Sequence, residues 1–488
     1  MTKHSFSVGQ PHEKNRDNDG VESLVDTREI RYNVDKKLGG GGQGDVFLLE
    51  GGKHIAKLFK SKDDPTKLKA KVNFLRNLNL DKDIFALPLR EVAQPGVGYV
   101  AEFAGGMDEL AGLYLEKKPP DKTAAAWLVE SGGLWKRYRM LASIASALKI
   151  LHSKGLVYCD LSPKNIFVSS SPLNANVFFI DLDNLTHKVS LRDVVYTPRY
   201  GAPEIVTRKA PNTMESDCHA FAVIAYELLV SGHPLIGDYV DSGDPELEED
   251  AFAGKIPWVD HSKDDLNRRT TGLPSDFVIS SALMPLFKRS FEEGLGNPGR
   301  RPSMAEWFEQ LTKATNELIK CGNPDCALHF PYKKHRCCPF CKTKAEMVTR
   351  IQMRRWDEVG HYDPEGNIIT EKFAIQPEIY DEIFIDANTP KEIAACNFLI
   401  EKTPLQLPVL RIEQITEKGE TKFRVKPLNG KKFRVSRRTG EKTKDEISTE
   451  KKIKIGDPGL PDSQKSMLHV EDLDVPQRVL IIDKFEEK

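Results

Sequence analysis

The amino-acid sequence predicts an α+β protein with more than one domain. Strand-like runs flank a glycine-rich stretch at residues 39–44, and the apolar spacing predicts a helix at Trp135–Lys154. Five of the eight cysteines fall between Cys321 and Cys341, and alternating apolar and polar runs follow from Leu407 onward. Because 488 residues exceed what one compact core usually holds, several domains are expected.

Composition is that of an ordinary globular protein. Hydrophobic residues make up 39% of the chain and charged residues 29%, and the formal net charge is −1. The sequence therefore predicts no global field that would draw the protein to nucleic acid or acidic lipid. No apolar run approaches the roughly 20 residues that span a bilayer, and the N-terminus lacks the apolar core of a signal peptide. A cytoplasmic protein without membrane attachment is expected.

The N-terminal part contains a candidate phosphate-binding loop. Residues 1–28 are polar and show neither a strand nor a helix period, so a disordered leader is expected there. In the stretch LGGGGQGDVFL, Gly39, Gly41, Gly44 and Val46 have the spacing of a loop whose backbone N–H groups close over nucleotide phosphates. An ordinary glycine-rich hairpin turn would have the same letters, so this stretch alone does not decide between the two.

Three polar residues follow one another between hydrophobic runs near the middle of the chain: Asp160, Asn165 and Asp181. A phosphoryl-transfer site needs this set, because one carboxylate orients the acceptor hydroxyl while an amide and a second carboxylate hold Mg²⁺ on the nucleotide. A lone Asp in a loop usually caps a turn or is solvated. Three such residues in this order are much harder to obtain by chance, so a catalytic site is predicted.

At these residues the chain resembles the protein kinase family. The stretch YCDLSPKN at Tyr158–Asn165 resembles the family's catalytic loop H-R-D-L-x-x-x-N, and DLD at Asp181–Asp183 resembles its D-F-G motif. The resemblance implies a bilobal protein-kinase-like fold for residues 29–320. It also implies ATP and Mg²⁺ as cofactors, with Asp160 as a catalytic residue and Asn165 as a Mg²⁺ ligand together with the first acid of the DLD motif.

The same resemblance assigns nucleotide contacts to the smaller lobe. The strand HIAKLF matches V-A-I-K, which implies that Ala56 and Lys57 contact the nucleotide. Backbone groups of Glu102 and Ala104 would bond the adenine edge. The alternative for Lys57 is a strand lysine that faces solvent.

One helix departs from the family pattern. The apolar spacing predicts an amphipathic helix at Asp64–Asn79, but this stretch has no acid in the place where the family's helix pairs with the strand lysine. Lys57 then pairs with an acid from elsewhere, Glu91 or Asp181, or the enzyme is slow or inactive until something completes its site. Asp183 replaces the family's glycine, and it either assists Mg²⁺ or is a solvated turn residue.

Substrate type is indicated by a second resemblance. The segment at Tyr196–Glu204 is similar to the family's T-P-x-Y-x-A-P-E ledge, on which peptide substrates dock. Thr197 lies where Ser/Thr kinases place a threonine that contacts the catalytic Asp. Lys164, four residues after Asp160, is a tyrosine-kinase feature that could still reach the γ-phosphate. Serine or threonine of protein substrates is favoured.

Two further pairs would hold such a fold together. The resemblance places Glu204 in a buried position, where it needs a cation, and Arg301 matches the family's partner. Asp217 matches the Asp that anchors the catalytic-loop backbone.

The cysteine cluster predicts a zinc ribbon at residues 321–345. Two cysteine hairpins can converge four thiolates on one tetrahedral ion, and a filled set of four indicates a structural rather than a catalytic metal. The four expected ligands are Cys321, Cys326, Cys338 and Cys341. Alternative ligands lie nearby, namely Cys337, His329 and His335.

The C-terminal third shows weaker patterns. Residues 346–400 are polar with few strand-like patches, and a linker is expected there. Alternating runs between glycine or charged turns predict a small β-rich domain at 401–488. Lys and Arg are numerous in it, but acids are mixed in throughout, so a solvated sheet face is favoured over a nucleic-acid surface.

The sequence as a whole predicts an ATP- and Mg²⁺-dependent Ser/Thr protein kinase with a structural zinc site. Three alternatives remain: a nucleotide-binding pseudokinase scaffold, a small-molecule kinase on the same fold, and a nucleic-acid-binding adaptor. The unusual catalytic loop followed by a zinc ribbon is similar to bacterial kinase-like proteins. That likeness implies a protein substrate, and as partners a phosphatase and a protein with a metal-ion-dependent adhesion-type domain.

Overall fold

The structure is a computed structural model. It describes residues 19–42, 44–60, 64–116, 119–171, 174–387, 389–398, 407–439, 441–442, 445–454, 466–470 and 476–482. The chain forms two compact units, the first running to Met107 and including Phe178–Asn184, the second comprising Asp108–Val177 and the chain from Leu185 onward. Within the described ranges, no helix has both the length and the apolar character needed to cross a membrane.

The first unit is built on a closed antiparallel barrel. Its strands are β1 (Ser23–Asp26), β2 (Arg31–Gly40), β3 (Gly44–Leu49), β4 (His54–Phe59), β5 (Arg90–Gln94) and β6 (Gly98–Glu102). They pair in the order β1-β2-β3-β4-β6-β5, and β5 closes onto β1. Alternate residues point inward, so Phe47, Ala56 and Val100 belong to one hydrophobic cluster inside the barrel.

A single helix, α1 (Pro65–Arg76), packs on this barrel. It begins where the Asp64 carboxylate accepts a hydrogen bond from the backbone N–H of Thr66. Leu68 and Val72 then pack against apolar residues of the barrel strands. The helix predicted at Asp64–Asn79 is confirmed with slightly narrower bounds.

The expected disordered leader is wrong for its last residues. β1 lies within residues 1–28 and pairs with β2, and Leu24 is only 1% exposed. The short SLVD segment was missed because it alternates buried and half-buried positions over four residues only. Residues 1–18 lie outside the described part of the chain.

The second unit begins with helices packed around one long central helix. Its helices are α2 (Ala124–Glu130), α3 (Gly133–Ser153), α4 (Pro203–Val206), α5 (Met214–Val230), α6 (Pro245–Phe252), α7 (Ser275–Val278), α8 (Met284–Lys288) and α9 (Met304–Glu317). Of three short strands, β7 (Met107–Glu109) precedes α2 in the sequence, and β8 (Ile166–Ser169) and β9 (Val177–Phe179) lie between α3 and α4. α3 packs against α5 and α9, and its predicted apolar stripe is fully buried, with Ile144 and Leu148 at 0% exposure.

Beyond α9 the regular elements of the described residues are mainly β-strands. The first strands, β10 (Leu318–Lys320) and β11 (His329–Pro331), pair with each other. The later strands are β12 (Thr349–Tyr362), β13 (Ile368–Ile385), β14 (Lys391–Ala394), β15 (Pro408–Glu417), β16 (Glu420–Pro427), β17 (Phe433–Thr439), β18 (Glu441–Lys442), β19 (Asp445–Ile447), β20 (Lys451–Lys454), β21 (Ser466–His469) and β22 (Gln477–Ile482). One sheet has the order β13-β12-β22-β21-β17-β18, with β19 also on β17, and another has the order β14-β15-β16-β20.

The linker expected at residues 346–400 is wrong. β12 and β13 form a long antiparallel hairpin there, and they share one hydrophobic cluster with strands from the following hundred residues. Ile351, Met353 and Ile383 are 0% exposed. Residues 351–353 and 383–385 are buried in succession, so no simple alternation marks these strands in the sequence, and charged residues lie among the buried ones.

A buried polar network joins α9 to the following strands. The ammonium group of Lys391 donates hydrogen bonds to the backbone carbonyls of Asn316, Leu318 and Phe384. The Asn316 side chain also donates to Asp381 at 2.7 Å. Because the Lys391 ammonium group and the Asn316 amide group are both hydrogen-bonded, they fix the end of α9 against β13 and β14.

Candidate active site

In the second unit, the loop after α3 carries the predicted catalytic residues. Asp217, in the first turn of α5, accepts hydrogen bonds from the backbone N–H groups of Tyr158 at 2.8 Å and Cys159 at 3.0 Å. This contact holds Cys159 at a φ of +73°, a conformation that side-chain-bearing residues rarely adopt. The predicted anchoring role of Asp217 is confirmed.

The Asp160 carboxylate is positioned by two neighbours. Thr197 Oγ1 donates a hydrogen bond to Asp160 Oδ1 at 2.7 Å, as predicted. Asn165 Nδ2 donates to the Asp160 backbone carbonyl at 2.8 Å, so its amide oxygen is turned away from that bond. The carboxylate is half-buried, and among the described residues its side-chain hydrogen bond, from Thr197, uses Oδ1, which leaves Oδ2 to orient an acceptor hydroxyl.

Asn212 was missed by the sequence reasoning. Its Nδ2 donates to the carbonyls of Cys159 at 3.2 Å and Val195 at 2.8 Å, and its Oδ1 accepts from the Val195 N–H at 3.1 Å. This buried side chain therefore ties the catalytic loop to the segment that carries Thr197. No local motif marks it, since its partners are backbone groups distant in sequence.

Glu204 and Arg301 form the predicted ion pair, in which the Arg301 side chain is 0% exposed and the Glu204 side chain is 13% exposed. Arg301 donates from both terminal nitrogens to the two carboxylate oxygens at 2.7 and 2.8 Å. Its remaining hydrogen bonds go to the backbone carbonyls of Gly294 and Glu215. The pair fixes α4 against the segment before α9.

Replacing Arg301 with Met is expected to lower the free energy of unfolding by roughly 3–5 kcal/mol, because it leaves the Glu204 carboxylate without its cation. Urea denaturation would measure this. Arg300→Met is the matched control, since its side chain is 68% exposed and its loss should change stability by less than about 0.5 kcal/mol. Equal effects of the two substitutions would contradict the assignment.

A cleft of about 1170 Å³ lies beside Thr197 within the second unit. Its lining includes the exposed Lys164, together with Arg199, Glu227 and Glu248. Arg199 lies 3.9 Å from Glu227 and 3.8 Å from Glu248, so it bridges two acids on the cleft wall. The cleft is large enough to admit an extended peptide next to the side chain that contacts Asp160.

His233, on the wall of this cleft, is held in its neutral form. Its Nδ1 accepts from the Leu235 N–H at 3.1 Å, so its Nε2 donates to the Arg199 carbonyl at 3.0 Å. Burial, helped by the charge of Arg199, lowers the pKa of His233 to about 3. Protonation of His233 Nδ1 would point its new N–H at the Leu235 N–H and so break this hydrogen bond.

Stability is therefore expected to fall as the pH drops below about 6.5, the ordinary pKa of histidine. Between that value and the folded pKa the unfolded chain binds the extra proton, which costs about 1.4 kcal/mol per pH unit for each such histidine. His233→Asn keeps an acceptor for the Leu235 N–H. Urea titrations between pH 7 and pH 5 should show a weaker dependence of the free energy of unfolding on pH, by up to the contribution of one proton. An unchanged slope would contradict the assignment.

In the first unit, Lys57 meets two acids of the DLD motif. Lys57 Nζ lies 2.6 Å from Asp181 Oδ1 and 2.5 Å from Asp183 Oδ2. Burial alone would lower the pKa of Lys57, but the two carboxylates outweigh it and raise the pKa above its ordinary value. Of the two acids proposed for Lys57, Asp181 is confirmed, and its ion pairs among the described residues do not include Glu91. The solvent-facing alternative for Lys57 is wrong.

The backbone around Asp181 explains how the motif reaches Lys57. Phe179 pairs with the chain before β5: its N–H donates to Ile84 and its carbonyl accepts from Ala86. Asp181 then adopts a φ of +54°, which turns the chain sharply. Asp183 is 2% exposed, so the alternative of a solvated turn residue is wrong.

The glycine-rich stretch forms the turn between β2 and β3. The Gly41 N–H donates to the Gly44 carbonyl at 2.9 Å, and Gln43 lies outside the described residues. A Cβ on Gly44 would lie 2.5 Å from the Leu58 carbonyl, so only glycine fits there, whereas Gly39 and Gly41 face open space. The turn is a glycine-rich hairpin, and its open positions leave backbone accessible to a ligand.

Two further residues were predicted to contact the nucleotide, Val46 in β3 and Ala56 in β4, and they face opposite sides of the barrel wall. Val46 pairs directly with Lys57, so their side chains share one face of the barrel wall. Ala56 points to the opposite face and is enclosed in the barrel core at 0% exposure. The prediction that Ala56 contacts the nucleotide is wrong, because adjacent residues of a strand face opposite sides.

Of the two residues predicted to contact adenine, Glu102 is the last residue of β6 and Ala104 lies two residues beyond it. Glu102 ends that strand and pairs with His54, and Ala104 begins a turn in which its carbonyl accepts from the Met107 N–H at 3.3 Å. The structure thus places both at the end of a strand, with the Ala104 carbonyl already engaged. Their contact with a nucleotide stays a prediction.

The four predicted zinc ligands converge in the second unit. The Sγ atoms of Cys321, Cys326, Cys338 and Cys341 all lie within 4.8 Å of one another. Two sulfur pairs are 3.5 and 3.7 Å apart, close to the roughly 3.8 Å between sulfurs that bind one zinc ion tetrahedrally at about 2.3 Å. Hydrogen bonding with Thr343 lowers the pKa of Cys341 to about 6, which favours the thiolate that a metal needs, whereas burial raises the pKa of Cys321 and Cys326.

The three alternative zinc ligands do not belong to this group of converging sulfurs. Cys337 is exposed and is not one of the four converging cysteines. His335 lies 2.8 Å from the Asp276 carbonyl, and His329 lies in β11 with its pKa lowered to about 4 by burial. The donor set therefore fits a closed four-thiolate site.

Comparison with known proteins supports the resemblance. A family model described as a protein kinase domain matches residues 32–310, which is more than half of the chain. Serine/threonine-protein kinase pkn2 of Myxococcus xanthus is 25% identical over 305 residues, covering 60% of this chain and 33% of that protein. Catalytic subunit 3 of the cAMP-dependent protein kinase of Drosophila melanogaster is 35% identical over 124 residues, covering 25% of this chain and 19% of that protein.

A third relative, serine/threonine-protein kinase dkf-2 of Caenorhabditis briggsae, is 29% identical over 180 residues. That match covers 36% of this chain and 15% of the relative. The chain thus spans a third or less of the length of these relatives.

Proposed function

Because this chain belongs to the protein kinase domain family, we propose that it transfers the γ-phosphate of ATP to serine or threonine of protein substrates. The observation that carries the proposal is the arrangement around Asp160. Its carboxylate is oriented by Thr197, and its loop is anchored by Asp217. A scaffold that only binds partners needs none of these contacts, whereas a group that orients an acceptor hydroxyl needs all of them.

The roles proposed for the other residues follow from their chemistry. Lys57 binds the nucleotide phosphates, Asp181 and Asn165 hold Mg²⁺, and Lys164 supports the γ-phosphate. Magnesium neutralises charge that develops on the phosphate oxygens. The backbone at Gly39, Gly41 and Gly44, with the Val46 side chain, covers the nucleotide, and the backbone of Glu102 and Ala104 bonds its adenine edge.

The test is transfer of labelled phosphate from ATP with Mg²⁺ or Mn²⁺, to the protein itself and to a generic basic protein. Wild type and Glu365→Gln, a change in an exposed hairpin turn, should both transfer label, and Asp181→Ala should not. Mass spectrometry should find the label on serine or threonine. Label on tyrosine, or transfer that survives in Asp181→Ala, would contradict the proposal.

The alternative of a pseudokinase scaffold rested on the missing acid in α1 and on the altered D-F-G motif. Neither feature leaves Lys57 without a counter-charge, because Asp181 and Asp183 both contact it. A scaffold would bind ATP without transferring label. A small-molecule kinase is disfavoured by the protein kinase match over residues 32–310, which includes the Tyr196–Glu204 ledge.

We also propose that the four cysteines bind one structural zinc ion, so that residues 321–345 form a zinc ribbon. The convergence of the four sulfurs within 4.8 Å of one another supports it. All four tetrahedral positions would be filled by protein, which leaves no open position for a substrate.

The partners expected from the resemblance, a phosphatase and a metal-ion-dependent adhesion-type protein, gain no support from the relatives above and stay predictions. So does the cytoplasmic location. Nucleic-acid binding by the C-terminal strands gains no support either.

A further inference from the structure

Both acids that contact Lys57 lie on one turn. Its ammonium group contacts Asp181 at 2.6 Å and Asp183 at 2.5 Å, and these acids are two residues apart. The helix beside this turn, α1, contains no acid in its sequence PTKLKAKVNFLR. The counter-charge for Lys57 therefore comes from the loop that follows β9 and not from the helix.

The two acids differ sharply in their access to solvent. The side chain of Asp181 is 29% exposed, whereas that of Asp183 is 0% exposed. A metal ion that arrives with a nucleotide can reach an exposed carboxylate, but a fully enclosed one has no open coordination path. The two carboxylates are thus suited to different tasks.

We propose that Asp183 is a positioning residue that holds Lys57 in place for the nucleotide phosphates and so leaves Asp181 for the metal. The proposal rests on the proposed function and deepens it. A buried ammonium group needs a permanent counter-charge, because removing its partner leaves an uncompensated buried charge. If Asp181 were its sole partner, metal binding would compete for that carboxylate.

The charge on α1 agrees with this division. α1 packs beside the turn at Leu182–Asn184, and its Lys71 interacts favourably with the Asp183 carboxylate. A helix that carries a cation at this position could not itself supply the counter-charge for Lys57. Asp183 is thus the buried acid with which both lysines interact, Lys57 by direct contact and Lys71 through its charge.

Asp183 and Asp181 are on the same short turn, so the anchor of Lys57 and the proposed metal ligand move together.

The test is a double-mutant cycle between Lys57→Met and Asp183→Asn in the full-length protein, read as kcat/KM for ATP and as the Kd for MgATP. Asp183→Asn should lower kcat/KM about 100-fold, since a misplacement of about 1 Å in a phosphate-binding group costs that much. The double variant should be no worse than Lys57→Met alone, because Asp183 acts through Lys57. Asp83→Asn, an exposed acid of the same unit, should behave as wild type.

Stability is measured on every variant by urea titration, and rates are corrected for the folded fraction. A purely structural Asp183 would lower stability but leave kcat/KM and Kd of the folded fraction unchanged, which would overturn the proposal. Additive effects in the cycle would overturn it as well. If too little of Asp183→Asn folds to be assayed, Asp183→Gly, which leaves no side chain in the buried site, takes its place with the same expectations.

The failure of the proposed function is distinguishable from the failure of this inference. If wild type transfers no phosphate, the proposed kinase activity is wrong, but the cycle is still read from the Kd for MgATP. Non-additive losses of affinity would then support the role of Asp183 in a nucleotide-binding protein. Additive losses, or none in Asp183→Asn, would overturn it.

Discussion

Replacing Asp160 with Asn is expected to reduce phosphate transfer roughly 10²- to 10⁴-fold, the usual contribution of a positioned acid–base group. The substitution keeps size and leaves an amide oxygen that can still accept from Thr197 Oγ1, so the loop should keep its shape. What is lost is the negative charge that draws the acceptor hydroxyl into line with the phosphate. Steady-state transfer to a protein acceptor would measure the loss.

Nucleotide affinity serves as the control for this variant. Asp160 is not among the residues proposed to hold MgATP, so the Kd for MgATP should change less than about threefold, within roughly 0.7 kcal/mol. Full activity in Asp160→Asn would contradict its catalytic role. An equal loss of affinity and rate would show that the substitution disturbs nucleotide binding instead of the acceptor hydroxyl.

Cys338→Ser is expected to cause the largest loss of stability. Cys338 is 0% exposed and packs in one cluster with Ile319, Phe330 and Phe384, so the proposed metal would hold two cysteine hairpins onto the following strands. Structural zinc binds with apparent free energies of about 10–16 kcal/mol in isolated fingers. Losing one of four thiolates should therefore destabilise residues 321–345 by several kcal/mol and lower the melting temperature.

The neighbouring cysteine provides a matched control. Cys337 is exposed and is not one of the four converging sulfurs, so Cys337→Ser should keep both metal content and melting temperature. Elemental analysis should find one zinc per chain in wild type and in this control. A chelator should lower the melting temperature of both to that of Cys338→Ser. Absence of zinc from freshly purified protein, with unchanged stability, would contradict the site.

The parts of the site that lie within short motifs could be predicted from the sequence. The order of Asp160 and Asn165 in one loop, and the spacing of the four cysteines, depend on local chain geometry that a few residues encode. Thr197, Glu204 and Arg301 were also found, because the resemblance supplied their distant partners. Ala56 was assigned to the wrong face, since adjacent strand residues differ only in which way the pleat turns them.

The C-terminal third was harder to predict for a different reason. β12 and β13 are long strands in which charged residues lie among the buried ones, and buried residues of β12 meet partners more than a hundred residues away, such as Leu480 and Ile482. The periodicity of a sequence indicates which residues of a single strand are buried. It does not show which strands share a core, so the hairpin was taken for a linker.

The sequence by itself determined the chemistry available to this protein: which acids, amides and thiols occur, and at what spacing along the chain. Only the tertiary structure decided how Lys57 is neutralised. Asp183 is 126 residues beyond Lys57 and resembles a solvated turn residue in the sequence, yet packing encloses its side chain completely. Burial sets the free energy of a charge, and burial arises from contacts between segments that no local pattern contains.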